Sequence, residues 1–465
     1  MKKLFLIITA ILFIGMLESY AQTTGGDSGR LYRSVGSGAE RANDNGIDSG
    51  NIFAAMGDWS VDLTVSQYTP AEASGLGWPG QANHNGFGAS GWGSFAAGAY
   101  NRASGVGATA IGFHNMAGPS GIDMNIIGIG DVGHTAFGYG TIASGNAAFS
   151  AGHSTEASGE SSTALGGDTE ASGNYSTAMG SYALAEGNYS TATGRETTAS
   201  GNYSITMGYI TTASADYSIA MGYNNTASGE SSTAMGYDTT ASGVRSTASG
   251  ASTTASGDYS TAMGNGTTAS GNYSTAMGDF SQATEEYSTA MGSSTISDGN
   301  SSTAMGRSTT ASGAYSTAMG YNTEASSQSS FASGESTTAS GVNSTAMGYD
   351  TTASGDYSTA MGYATTASGV DSTSMGYETT ASGLVSLAMG DSTTASGEVS
   401  TAMGNGTTAY GDYSTAMGKQ TDAGGDYSTA MGYGTTAQGD YSTAMGHDTT
   451  ASATSSTAMG YNTTA

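Results

Sequence analysis

A serine recurs every 14 residues from Ser162 to Ser456, 22 times without a break. A serine becomes a nucleophile only beside a base, at one site where unlike groups converge. A ladder of identical serines facing alanines fits hydrogen-bonded structure inside a fold instead. Gly26-Asp27-Ser28-Gly29 matches the nucleophile loop of trypsin-like proteases, but nothing ahead of it supplies the histidine and aspartate partners. The five histidines, His84, His114, His134, His153 and His447, share no metal-ligand spacing, and cysteine is absent. Asp and Glu crowd beside turn residues, as in Gly257-Asp258, Gly355-Asp356 and Tyr237-Asp238. Stacked about 5 Å apart they would suit calcium. The glycine-rich nonapeptide of calcium-binding rolls is missing, and solvated carboxylates that oppose edge-to-edge aggregation are the plainer reading. We expect no catalytic residue, no cofactor and no metal site.

The elements that carry these residues follow from the same ruler. From Gly166 to Gly460 the glycine of the Ser-Thr-Ala-Met-Gly unit returns every 14 residues, and a second glycine usually falls halfway, closing Thr-Thr-Ala-Ser-Gly. The period reaches back through Gly152 and Gly138 to Gly112, Gly105, Gly98 and Gly91, with one interruption at 113–131. Units this short exclude helical repeats and predict a β-solenoid. Five extended residues and a two-residue corner fit one strand, so each coil holds two short strands and successive coils stack in parallel. Glycine is expected at the corners, where φ is positive; His134, His153 and His447 fall at those corners. No proline lies within 131–465, as amides engaged in ladders require. At about 4.8 Å per coil the 22 coils would extend roughly 105 Å. The fold class is all-β, a parallel β-roll with 14-residue coils.

Side chains alternate along a strand. Ser and Ala of the first strand share one face, and Thr and Met share the other. The uniformly small face fits a thin interior. The other face carries Met179, Met207, Met221, Met235, Met263, Met277, Met291, Met305, Met319, Met347 and Met361 among others, with no charged residue at these positions. A long apolar stripe is more than a soluble monomer tolerates, and a ring of chains about one axis would hide it. These methionines are therefore candidate contacts between copies of the chain. The equivalent face of the second strand admits Glu156, Glu170, Glu186, Asp298, Glu324 and Asp422, so it is wet. It repeats Thr and Ser, a hydroxyl grid of the sort that binds ice, broken at Glu170, Glu324, Asp298, Tyr410 and Gln438. Tyrosine, 28 residues in all, gathers at corners. Stacked ladders are the plain role. Tyr259, Tyr273, Tyr349, Tyr357 and Tyr413 are the candidate ligand contacts, since amphipathic aromatics suit binding surfaces.

Residues 1–21 read as a signal peptide. Lys2 and Lys3 precede an apolar run from Leu4 to Leu17, and Ser19-Tyr20-Ala21 offers small residues for cleavage before Gln22. Residues 22–85 show no period and form a separate segment; 86–465 hold the repeats. No cysteine is present for disulfides or a lipid anchor, and no later stretch is apolar enough to span a membrane as a helix. The net charge of −27, about −28 after the signal is removed, excludes nucleic acid and anionic membranes as partners. Export across the inner membrane is expected.

Ser162-Thr163-Ala164-Leu165-Gly166 and Thr109-Ala110-Ile111-Gly112, set in 14-residue coils over residues 86–465, resemble the YadA-like head of trimeric autotransporter adhesins, whose typical unit reads Ser-Val-Ala-Ile-Gly. Most coils here carry Met where that family carries Ile. The resemblance implies a left-handed roll, a homotrimer and a cell-surface position. It also implies non-enzymatic adhesion to matrix proteins, host surfaces or other cells, with an extracellular protein or glycan as partner. In that family a neck, a coiled-coil stalk and a β-barrel anchor follow the head. This chain has no heptads or barrel strands and stops within a coil at Thr463-Thr464-Ala465, so the anchor is expected from a longer parent chain or another attachment. An ice-binding or purely structural fibre is the alternative.

Overall fold

The computed structural model describes residues 32–33, 61–64, 88–89, 93–99, 101–118 and 132–465. The signal peptide and most of the segment 22–85 lie outside them, as do Gly26-Asp27-Ser28-Gly29 and His84. Among the described residues there is no helix; the chain is a parallel β-solenoid of about 25 turns with 14-residue repeats. It divides into two units, Met1–Tyr203 and Ser204–Ala465.

The second unit is the more regular. Its coils repeat the pattern of Thr261–Asn265 followed by Thr268–Ala269: a five-residue strand, a corner, a two-residue strand and a second corner. The five-residue strands pair in parallel with a step of 14, Thr261 on Thr275 and Met263 on Met277. The two-residue strands form their own ladder, Thr268 on Gln282. The two strands of a coil are thus unequal, where the even spacing of glycines predicted similar ones. In the first unit the same coil runs from Phe95–Ala99 to Thr191–Arg195. Val61–Thr64 pairs in parallel with Phe95–Gly98, so the aperiodic segment adds a strand to this sheet. Thr109 pairs with Thr135 and Met116 with Ile142, so the extra residues of the interruption fall after Gly118.

The interior is the small face, as alternation predicts. Ala262, Ala269 and their counterparts are buried along both units, together with the aligned Ser and the first Thr of each Thr-Thr-Ala-Ser unit. Such side chains let the two sheets lie close.

Three expectations are overturned. Gly264 has the positive φ, 127°, yet it is the fourth residue of a strand, and a Cβ there would overlap the carbonyl oxygen of Gly278. Gly271, at a corner, shows no positive φ; its missing Cβ makes room for the carbonyl of Glu285. Most of the left-handed corner residues bear side chains, Tyr259 at 57° and Asp238 at 55° among them, with glycine at a few such as Gly266. The aligned serines are buried, but among the described residues most find no hydrogen-bond partner for Oγ, Ser162, Ser176, Ser274 and Ser358 included. His153 and His447 end long strands rather than occupying corners, and His134 is no corner residue either. It takes an interior serine position, fully buried, with Nδ1 2.6 Å from the Gly145 carbonyl and its ring in the space left by Gly105.

Candidate interaction surfaces

The outer face of the long strands carries the thioethers. Strand pleating aims Ala262 inward and Thr261 and Met263 outward, and parallel pairing in register stacks Met263 directly on Met277. In the second unit the column runs unbroken from Met347 to Met459. Most of these side chains are half-buried against their neighbours, while Met207, Met263 and Met459 are exposed. All eleven candidate methionines occupy the outward middle position of a long strand, Met179 in the first unit and the other ten in the second.

The candidate tyrosines belong to two ladders. Tyr259, Tyr273, Tyr357 and Tyr413 occupy the left-handed position just before the long strand, with φ of 57–59°. Tyr349 is the last residue of a long strand, Thr345–Tyr349. The structure therefore does not bring Tyr349 together with the other four. In the first ladder Tyr259, Tyr273 and Tyr287 stack at 4.9 and 5.1 Å between centroids, and Tyr413, Tyr427 and Tyr441 at 4.9 and 5.0 Å. Tyr357 has Asn343 and Asp371 in the adjoining coils, so no tyrosine neighbours it in its column. In the second ladder Tyr349, Tyr363 and Tyr377 stack at 5.0 and 4.9 Å. Cations fill gaps: the Arg245 guanidinium lies 5.3 Å from the Tyr259 ring centre. The rings remain exposed. Their phenols shift upward where neighbours oppose the anion. Tyr175 donates to the Glu160 carboxylate at 3.2 Å, and that hydrogen bond leads in raising its pKa above 10.0.

Sequence reading missed what the corner Asn and Asp do. Asn272 Oδ1 accepts from the backbone N–H of Asp258 at 3.0 Å, and Asp258 in turn accepts from Val244 at 2.9 Å. The same bond recurs along Asp412, Asp426 and Asp440. These carboxylates tie each coil to the one before it rather than merely facing solvent. The signal lay in the sequence, as Asn or Asp at the residue before the corner tyrosine. Among the described residues no group of three or more His, Cys, Asp or Glu side chains is gathered for a metal ion.

The short strands turn Thr240 and Ser242 outward and bury Thr239 and Ala241. Glu324 and Asp422 interrupt this polar face.

Repeated surfaces of this kind define a solenoid that acts through its exterior. The family model described as YadA head domain repeat (2 copies) matches in fifteen stretches between residues 157 and 463, overlapping from residue 325 onward. The chain belongs to the YadA head family, a family of bacterial cell-surface adhesins. No curated protein matches the chain.

Proposed function

We propose that the chain is the binding head of a cell-surface fibre. It assembles as a homotrimer and adheres without catalysis to matrix, host or other cell surfaces. The observation that carries this reading is the in-register column of thioethers, with no charged residue at the Met positions or at the Thr positions beside them. An apolar stripe of that extent finds its cover in further copies of the chain. Methionines 179, 207, 221, 235, 263, 277, 291, 305, 319, 347 and 361 are the proposed interface. The tyrosine ladders remain available for partners and repeat the same weak contact many times, which supplies avidity without a deep pocket. Tyr259, Tyr273, Tyr349, Tyr357 and Tyr413 are the proposed contacts, secretion through a signal peptide at 1–21 the proposed route.

Sedimentation of the secreted chain tests the assembly: three times the chain mass is expected, and a monomer at micromolar concentration would sink it. Beads carrying the chain should adhere to extracellular protein or glycan layers, and replacing the five tyrosines with serine should reduce their retention. One observation favours a second reading: outward Thr338, Thr352, Thr366, Thr380 and Thr394 stand in register with a serine two residues on in every coil. Thermal hysteresis on freezing would favour an ice-binding grid over adhesion.

A further inference from the structure

Three consecutive coils of the second unit break the corner pattern. Elsewhere the corner commonly pairs Asn, Asp or Glu with Tyr or Ser; here the pairs are Val370-Asp371, Leu384-Val385 and Glu398-Val399. Of the six exposed Val, Leu and Ile side chains in Ser204–Ala465, four belong to this patch: Val370, Leu384, Val385 and Val399. They are neighbours in space. The Val385 amide donates to the Val370 carbonyl at 2.8 Å, and the Val399 amide to the Leu384 carbonyl at 2.7 Å. The exposed rings of Tyr357 and Tyr413 occupy the same column, one coil beyond the patch at either end.

Stability does not select these residues. Val385 and Val399 are held at φ of 57° and 54°, a conformation that β-branched side chains resist. Val370 and Leu384 have no side-chain oxygen, so the amides of Asp356 and Val370 lose the acceptor that Asn272 gives Asp258. Strained, exposed and apolar, the patch points to binding. Its rim indicates what it binds. Asp356, Asp371, Glu398 and Asp412 surround it at the same corner, and residues 308–418 contain no Lys or Arg.

We propose that Val370, Leu384, Val385 and Val399 form a docking site for a segment of another protein that presents aliphatic side chains between lysines or arginines. The acidic rim meets the cations and the valines and leucine cover the aliphatic groups. This deepens the adhesive reading and rests on it: one local, selective contact is added to the repeated ladders.

The test titrates the secreted chain with a fluorescent Lys-Leu-Lys-Leu-Lys peptide and follows anisotropy, with Lys-Ser-Lys-Ser-Lys and Glu-Leu-Glu-Leu-Glu as controls. The first peptide should bind at least tenfold more tightly than either control. The combined variant Val370→Thr, Leu384→Thr, Val385→Asn, Val399→Asn leaves every charge in place and should lose at least tenfold in affinity. Its melting temperature should hold or rise, because asparagine accepts the left-handed backbone. Leu384→Thr alone keeps the test open should the combined variant fail to fold; it should lose severalfold. Equal binding by wild type and variant, or by the Lys-Leu and Lys-Ser peptides, would overturn the docking site. So would a fall in sedimenting mass on these substitutions, which would assign the patch to a second copy of the chain. Peptide binding by a chain that adheres to no surface would overturn the adhesive reading alone.

Discussion

At the scale of single residues, the interior hydroxyls are the unusual chemistry. A buried oxygen without a partner costs stability, about 1–3 kcal/mol when a partner is removed from it. Where an inward alanine is replaced by serine, the neighbouring hydroxyl is satisfied: Ser374 Oγ lies 2.7 Å from Thr379 Oγ1, and Ser297 Oγ 2.6 Å from Ser302 Oγ. Thr309, across from Ala304 in the equivalent place, has none. Ser374→Ala should therefore destabilise by about 1 kcal/mol, and Ala304→Ser should stabilise by a similar or smaller amount, both read from urea midpoints. Asp422 presents the opposite case. It stands in the short-strand column beside Thr408 and Thr436, half-buried, with Oδ1 unpartnered, and burial raises its pKa above 3.8. A raised carboxylate binds its proton more tightly folded than unfolded, so its charged form weakens the fold at neutral pH, and the penalty fades as pH falls through the raised pKa. Asp422→Thr should raise the melting temperature at pH 7, and the gain should vanish near pH 3. A gain independent of pH would show that charge burial is not the cause.

At the scale of the coil, two glycine columns that look alike in sequence do different work. Gly264 combines a φ of 127° with contact against the next carbonyl, inside a ladder fixed on both sides. Gly271 needs only the close approach, and its column already holds Ala215, Glu285, Ser327 and Ala453, so the corner gives way where a Cβ appears. Gly264→Ala should cost more than about 1 kcal/mol, and Gly271→Ala distinctly less, in thermal or urea unfolding. Period and alternation made the solenoid, the inward Ala and Ser and the outward Met readable from sequence, because strand geometry fixes them. Corner geometry was not readable. Tyr259 sits at positive φ despite its side chain, and Asn272 spans to the preceding coil, a contact that exists only once coils are stacked. His134 was misplaced for a related reason: the cavity for its ring is made by Gly105, a full coil away in space.

At the scale of the molecule, two forces compete over assembly. Copies carrying a net charge of −27 repel one another, whereas each thioether moved from water to a neighbouring chain contributes up to roughly 1.5–3 kcal/mol. The half-buried state of most of the column reduces that gain, and the number of repeats restores it. Salt screens exposed charges beyond about 10 Å at 0.1 M and leaves apolar burial intact. Assembly through the methionine face should therefore tighten as sodium chloride is raised from low ionic strength, the reverse of what ion-paired subunits would show. Met263→Asp with Met277→Asp places two carboxylates within the column where Met263 and Met277 are in register. That pair should lower the sedimenting mass at micromolar concentration while β circular dichroism persists, because the side chains point away from the alanine interior. An unchanged mass would mean that this face packs against nothing, and the apolar stripe would then have to be explained by a partner other than the chain itself.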